Sequence, residues 1–451
     1  MLKGCLVPHP PLIIPGVGKG DEIPGTRRAF EEIAAELSAQ RPDTVVIFSP
    51  HSVLYADYIH ISPGESASGN FNAFGAGRIR ISAAYDSELA SRIEACVAGQ
   101  GIPAGTLGEK DRALDHGVLV PLYFLKAPRI VRISLSGLSL IDHYRFGMCV
   151  REAAESLSRS VYLVASGDMS HKLKEDGPYG FAPEGPKHDA YVRDCIQKSD
   201  FRALLSMDPS LCERAAECGL RSIVMLAGAM DGTQVRSRVL CYEGPYGVGY
   251  LTAAFAGDGE APSLLPQLLA DKNAALEKIR RGEDALVRLA RQTAEHYVRT
   301  GKPAALPPGL PEEILSARAG VFVSVKKDGS LRGCIGTIEA AQSNIAMEIM
   351  ENSVSASARD PRFDPIEPEE LDALTYSVDV LSPAEAVDGP GQLDAARYGV
   401  IVTKGRRRGL LLPNLDGVDT VEQQISIALQ KAGIRPDESY GLERFEVVRH
   451  T

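Results

Sequence analysis

Three of the nine histidines stand where an imidazole can act on a ligand rather than fill a core. His9 follows the apolar run KGCLVP, His51 follows VVIFSP, and His171 follows YLVASGDMS. A neutral imidazole offers one lone pair, which can bind a divalent cation or take a proton near neutral pH. His9 and His51 share a local pattern, an apolar strand and then Pro-His. The proline fixes φ and removes a backbone donor, so the strand stops just before the ring. Two rings held by such turns can supply two metal ligands. The alternative is a pair of hydrogen-bonded turn histidines, the commoner fate of a lone His.

The elements that must hold these residues are readable around them. TVVIFSPH (Thr44–His51) is a continuous β-branched run, which predicts a buried strand. The apolar spacing of Thr26–Gln40 predicts a helix, and Asp86 caps a second one, SELASRIEACVAG. RIVRISLSG and SVYLVASGDMSH read as further strands, and QVRSRVLCYEG and GVGYLTAAFAG as a closing pair. Alternating strands and helices predict an α/β domain with helices flanking a central sheet. Residues just past strand C-termini in such a sheet converge on one edge, where ligands bind. Three histidines at comparable strand ends therefore favour a site over three unrelated turns.

After Gly257 the texture changes. GDGEAPSLLPQ reads as a linker (258–270), and helical periodicity resumes through Asp271–Thr300. GVFVSVKKDGSLRGCIGTI alternates on both sides of Asp328-Gly329, a strong hairpin signal. GVIVTKGRRRGLLLP is a second hairpin candidate and Arg444–Arg449 a terminal strand. The chain thus reads as an α/β domain over 1–257 and a smaller α+β domain over 271–451.

Composition narrows the field of functions. The chain has 451 residues, 44 % apolar and 24 % charged, which excludes disorder and a small disulfide scaffold. Lys+Arg number 49 against 59 Asp+Glu, and a net charge of −10 argues against broad nucleic-acid contact. No window approaches the ~18 apolar residues of a membrane helix. None of the eight cysteines pairs as CxxC, so zinc ribbons and thioredoxin-like centres have no support. Scattered cysteines without a signal peptide fit a reducing cytoplasm.

VPHPPLIIPGVG, VIFSPHS, GNFNAFG, LDHGVLVPL and ASGDMSH occur in this order. Together they resemble the LigB-like class III extradiol dioxygenase superfamily, which includes the Memo proteins, across nearly all of 1–257. The resemblance implies a non-haem Fe(II) held by two histidines and one glutamate, with another divalent metal such as zinc as the variant. His9 and His51 match the histidines. The glutamate should fall in ERAAECGLRSIVMLAGAMDG, with Glu217 first, Glu213 second, and Cys218 as the rival, since Memo-type relatives resemble this Cys-Gly string. His171 matches the family's catalytic acid/base and His116, in LDHG, a position that contacts substrate or bound oxygen. Asp115 or Asp168 would orient one of these rings. The implied reaction is cleavage of a catechol-like or aminophenol-like ring with O2. Two imidazoles and a carboxylate on one face leave three octahedral positions for such reactants. Memo-like relatives keep the fold without an established ring-cleavage role, so a metal-binding accessory protein is the second expectation.

LRGCIGTIE (Leu331–Glu339), SASARDPRFDP (Ser355–Pro365) and GLLLPNL resemble the AMMECR domain. The fusion resembles the AmmeMemoRadiSam system protein A family, whose name implies a radical SAM protein as partner. In RGCIG the glycines allow close approach of another group. Arg332 offers a planar donor fork and stands near Cys334 in sequence, where it could activate the thiol. Arg359, Asp360 and Arg362 would extend that site. A buried Cys with a structural Arg is the alternative, and a hydrolase or transferase centred on Cys334 is the third functional expectation. Arg406-Arg407-Arg408 reads as a solvated hairpin tip. A homo-oligomer is compatible with the sequence and not required by it.

Overall fold

The computed structural model describes residues 2–19, 21–110, 113–415 and 417–451. They form two compact units, Met1–Asp271 and Lys272–Thr451. Among the described residues no helix is long and apolar enough to cross a membrane.

The first unit is built on a six-stranded sheet. Its strands are β1 (Leu2–Val7), β2 (Thr44–Ser49), β3 (Ile130–Ser134), β4 (Val161–Ser166), β5 (Gln234–Glu243) and β6 (Tyr250–Asp258), in the order β3-β2-β4-β1-β6-β5. β3, β2, β4 and β1 are mutually parallel, while β6 and β5 run antiparallel at one side. The parallel strands are largely apolar because both faces are covered, with Lys3 of β1 and Arg132 of β3 as the charged exceptions. Leu6, Val46, Phe48, Leu163 and Ala165 enter one core, and Cys5, Val7, Val45, Ile47, Tyr162 and Val164 the other. Helices α1 (Pro24–Gln40) and α3 (His116–Leu125) pack in the second core, and α2 (Ser87–Gly99), α4 (Leu140–Ser156) and α7 (Leu220–Ala229) in the first. Asp86 caps α2 as expected, its carboxylate accepting the Leu89 N–H at 3.1 Å. Helices α5 (Glu184–Lys198) and α6 (Pro209–Ala215) lie between β4 and α7 along the chain.

The segment expected to be a linker is only partly irregular. Asp258 ends β6, and helix α8 starts at Leu265 and runs to Gly282. The helical run expected over Asp271–Thr300 breaks at Glu283-Asp284. There the Asp284 carboxylate caps helix α9 (Ala285–Thr300) through the Leu286 and Val287 N–H groups.

The second unit holds two four-stranded antiparallel sheets. β7 (Val321–Lys327) and β8 (Ser330–Gly336) form the expected hairpin, with Asp328 and Gly329 both at positive φ, 51° and 82°. β9 (Leu374–Leu381) continues that sheet, and helix α10 (Ile345–Ala358) joins α9 in the core beside it. The second hairpin, β11 (Gly399–Lys404) and β12 (Arg407–Leu411), lies in the other sheet with β10 (Glu385–Val387), against helix α11 (Val421–Ala432). The expected terminal strand is two strands. β13 (Gly441–Phe445) pairs with β11, whereas β14 (Val447–His450) pairs with β9 in the first sheet.

Candidate metal centre

β1 ends at Val7 and β2 at Ser49, so Pro8-His9 and Pro50-His51 leave the sheet at the same edge. The third ring there is His116, the first residue of α3. One ligand atom from each of His9, His51 and His116 falls within 4.8 Å of the others. The His9 and His51 Nε2 atoms are 2.9 Å apart, and the His51 and His116 rings stack at 4.0 Å between centroids.

Hydrogen bonds fix the tautomer of His9. The Ser166 hydroxyl donates to the Gly117 carbonyl at 2.6 Å, so it must accept from His9 Nδ1–H at 3.0 Å. That leaves the His9 Nε2 lone pair facing the cluster. His9 is buried, and burial, followed by the neighbouring rings, holds its pKa well below the usual histidine value. Burial and then His116 push His51 down to about 4, and burial lowers His116 despite Asp115. All three rings are therefore neutral at pH 7, the state a metal ligand needs.

The Asp115 carboxylate positions two of these rings through their backbones. It caps α3 by accepting the Val118 N–H at 3.2 Å. It also accepts the Ser49 hydroxyl at 2.8 Å and the Ser52 hydroxyl at 3.0 Å, on either side of His51. Arg132 on β3, fully buried, pairs with it at 2.8 Å and donates to Ser52 Oγ and the Ala113 carbonyl. The end of β2 and the start of α3 are thus tied to one buried ion pair.

Asp168 and His171 lie beside the cluster, on the loop after β4. The Asp168 carboxylate accepts the His9 N–H at 2.9 Å, and its other oxygen is 3.8 Å from His9 Nε2 and 4.0 Å from His171 Nε2. Burial pushes Asp168 up to about 7 against the pull of that N–H, so it is poised near neutrality. His9 is neutral, so its contact with Asp168 is not an ion pair. Burial and then His51 lower the pKa of His171.

The residues expected to supply the third ligand are placed differently. One Glu217 carboxylate oxygen accepts the Leu220 N–H at 2.7 Å, at the start of α7, and Glu213 is exposed on α6. Cys218 comes nearer: its Sγ accepts the Asp168 N–H at 3.2 Å and is 3.8 Å from His9 Nε2. Burial holds its thiol well above the usual range. The carboxylate brought against His9 is that of Asp168, and the third converging nitrogen belongs to His116. Asp168 was legible only as an orienting residue, because GDMSH does not show which ring it meets.

In the second unit, RGCIG is a structural knot. A bulge opposite Val325/Lys326 leaves Arg332 as the extra residue of β8. Its guanidinium pairs with Glu370 at 3.1 and 2.9 Å and donates to the Asp364 and Pro365 carbonyls. Burial opposes ionisation of Glu370, yet Arg332 and Lys327 hold it down to about 2. Arg332 is therefore committed to Glu370 and not to Cys334. Asp360 accepts the Cys334 N–H at 2.9 Å, and Arg362 bridges Asp360 to the Cys334 carbonyl. Arg359 pairs with Glu351 on an exposed surface instead of joining them. Gly333 lies against the Ala356 carbonyl of α10, leaving no room for a Cβ. The arginine run is not a free tip: Arg407 pairs with Glu438, and Arg408 with Glu339 and Glu443.

A sheet whose strand ends carry a cluster of neutral imidazoles, together with a separate mixed second unit, defines a two-domain α/β protein with a candidate metal centre in its first domain. Residues 3–253 match the family of the catalytic LigB subunit of aromatic ring-opening dioxygenase, and residues 287–450 match AMMECR1. The chain belongs to the LigB family and carries a C-terminal AMMECR domain. The same fused length occurs in Protein CA_C1420 of Clostridium acetobutylicum, 40 % identical over 460 residues, covering 99 % of this chain and 98 % of that one. A Thermotoga maritima protein is 50 % identical over 171 residues, 38 % of this chain and 98 % of its own. Among solved structures, the uncharacterized protein PH0010 from Pyrococcus horikoshii is 33 % identical, covering 37 % of this chain and 89 % of that one, with a TM-score of 0.35. The uncharacterized protein JW3007 from Escherichia coli K12 is 18 % identical, covering 56 % and 99 %, with a TM-score of 0.41.

Proposed function

We propose that the first domain is a non-haem Fe(II)-dependent extradiol-type dioxygenase that opens a catechol-like or aminophenol-like ring with O2. The observation that carries the proposal is the convergence of His9, His51 and His116, all neutral, at the sheet edge. The donor set fits a divalent cation. Two nitrogens at ~2.0–2.1 Å from one ion and near ~90° to each other stand about 2.9 Å apart, and the His9 and His51 Nε2 atoms are separated by 2.9 Å. A bound Fe(II) would supply the Lewis acidity and redox chemistry that join a catechol to dioxygen.

The chain's own residues do the rest. His9 and His51 would hold the ion, with His116 closing the cluster. Ser166 keeps the His9 lone pair turned inward, and the Asp115–Arg132 pair keeps His51 and His116 in place. His171, a free base at neutral pH, takes the phenolic proton at Nε2. Asp168, 4.0 Å from that nitrogen, steadies the imidazolium that results.

An all-imidazole cluster also favours a second function, metal binding in an accessory role without ring cleavage, since three histidines equally suit zinc. Anaerobic reconstitution with Fe(II), followed by oxygen uptake against a panel of catechols and aminophenols, separates the two. Ring cleavage gives O2 consumption and a yellow ring-fission product, both lost in His171→Ala. Stoichiometric iron with no turnover across the panel assigns the accessory role instead.

A further inference from the structure

Two large aromatic side chains stand exposed on the imidazoles of this site. Phe74 is 40 % exposed and meets His116 edge-on, at 5.6 Å between centroids and 65°. Tyr179 is 60 % exposed and stacks on His171 at 5.0 Å and 25°. Rings of this size are usually driven out of water, and an exposed one beside a reactive cluster has a free face to offer. Phe74 is firmly held. It ends a short 3-10 turn, Asn72–Phe74, closed by Gly75 at φ 79° and braced by the Asn72 N–H on Asn70 Oδ1. The preceding Phe71 is fully buried and anchors the turn. Tyr179 lies between the paired residues Leu173 and Phe181, in a loop closed by the Gly177 and Gly180 turns. The contact with His171 is made by the ring of Tyr179.

The geometry points to Phe74 and Tyr179 as the specificity-determining rim of the centre, contacting the faces of a planar conjugated ring whose heteroatoms reach the histidine cluster. The inference rests on the metal-centre proposal above and adds to it how the ring itself is recognised. A partner polypeptide docking on the same aromatics is the competing occupant.

The test uses the full chain loaded with Fe(II) under anaerobic conditions and two probes that bind iron through paired oxygens. One, 4-nitrocatechol, carries a planar ring, and the other, acetohydroxamate, carries none. Both are followed by optical titration, which needs no turnover. Phe74→Ala and Tyr179→Ala should each weaken 4-nitrocatechol about five- to tenfold, in line with the loss of one ring contact, and leave acetohydroxamate within about twofold. Tyr179→Phe should behave as the parent, because stacking and not the hydroxyl is at work. Unchanged 4-nitrocatechol affinity in both alanine variants overturns the rim while leaving the metal centre standing, and passes these aromatics to a docking role. Equal weakening of both probes also overturns it, since the variants would then have disturbed the centre itself. If the parent chain binds neither probe, the metal-centre proposal fails and the rim falls with it.

Discussion

At the residue scale, His9 and His143 are told apart by what their ring nitrogens meet. His9 has one nitrogen fixed by Ser166 and the other turned into the cluster, whereas His143, buried in α4, has both satisfied by backbone. His143 Nδ1–H donates to the Ser139 carbonyl at 2.8 Å, and Nε2 accepts the Ser136 N–H at 3.2 Å. Protonating Nε2 would set two donors against each other, and burial already lowers this pKa to about 4. The unfolded value is near ~6.5, so below it the unfolded chain binds a proton that the folded chain refuses. The contribution of His143 is complete above pH ~6.5 and is lost as pH falls towards 4, up to ~3 kcal/mol. Chemical denaturation across pH 4–7 should show a steeper fall for the parent than for His143→Gln. Parallel profiles would mean that His143 carries no such linkage. Polar neighbours in sequence gave no sign of this burial, because the partners of His143 come from the turn before α4 and from the end of β3.

At the element scale, the central strands and the Asp-Gly hairpin were legible, and so were the histidines just past strand ends, but not the partners those loop residues meet. A continuous β-branched run marked β2, apolar-rich runs marked β3 and β4, and Asp-Gly marked the β7–β8 turn, because local chemistry decides each. The third position of the cluster depends instead on where α3 begins relative to the ends of β1 and β2. Glu217 sits next to a Cys-Gly break that looks like a ligand loop, but the same break starts α7, whose open N–H groups take the carboxylate. Arg332 and Cys334 share a strand face in a regular strand, and the bulge of β8 separates them. The element that sets the centre is the Asp115–Arg132 pair, which joins β2, β3 and α3. Asp115→Ala removes the carboxylate paired with a buried guanidinium and should destabilise the domain by about 3–5 kcal/mol, measured by urea unfolding, and should weaken metal binding as His51 and His116 drift apart. Asp115→Asn keeps the cap and should lose less. A stability unchanged in Asp115→Ala would show that this pair does not hold the edge together.

At the scale of the whole molecule, an acidic chain with a net charge of −10 gathers its neutral imidazoles at one sheet edge of the first unit, while the charged motifs of the second unit pair among themselves. The proposal is that His9, His51 and His116 form the metal centre while Glu217 stays bonded to the Leu220 N–H. It is tested most directly by an anomalous-difference map of crystals of the full chain loaded with Fe(II). A single strong peak should lie about 2.0–2.2 Å from nitrogens of His9 and His51, with His116 facing it and Glu217 still bonded to the Leu220 N–H. A peak ligated by Glu217, or one lying away from His9 and His51, would contradict the claim.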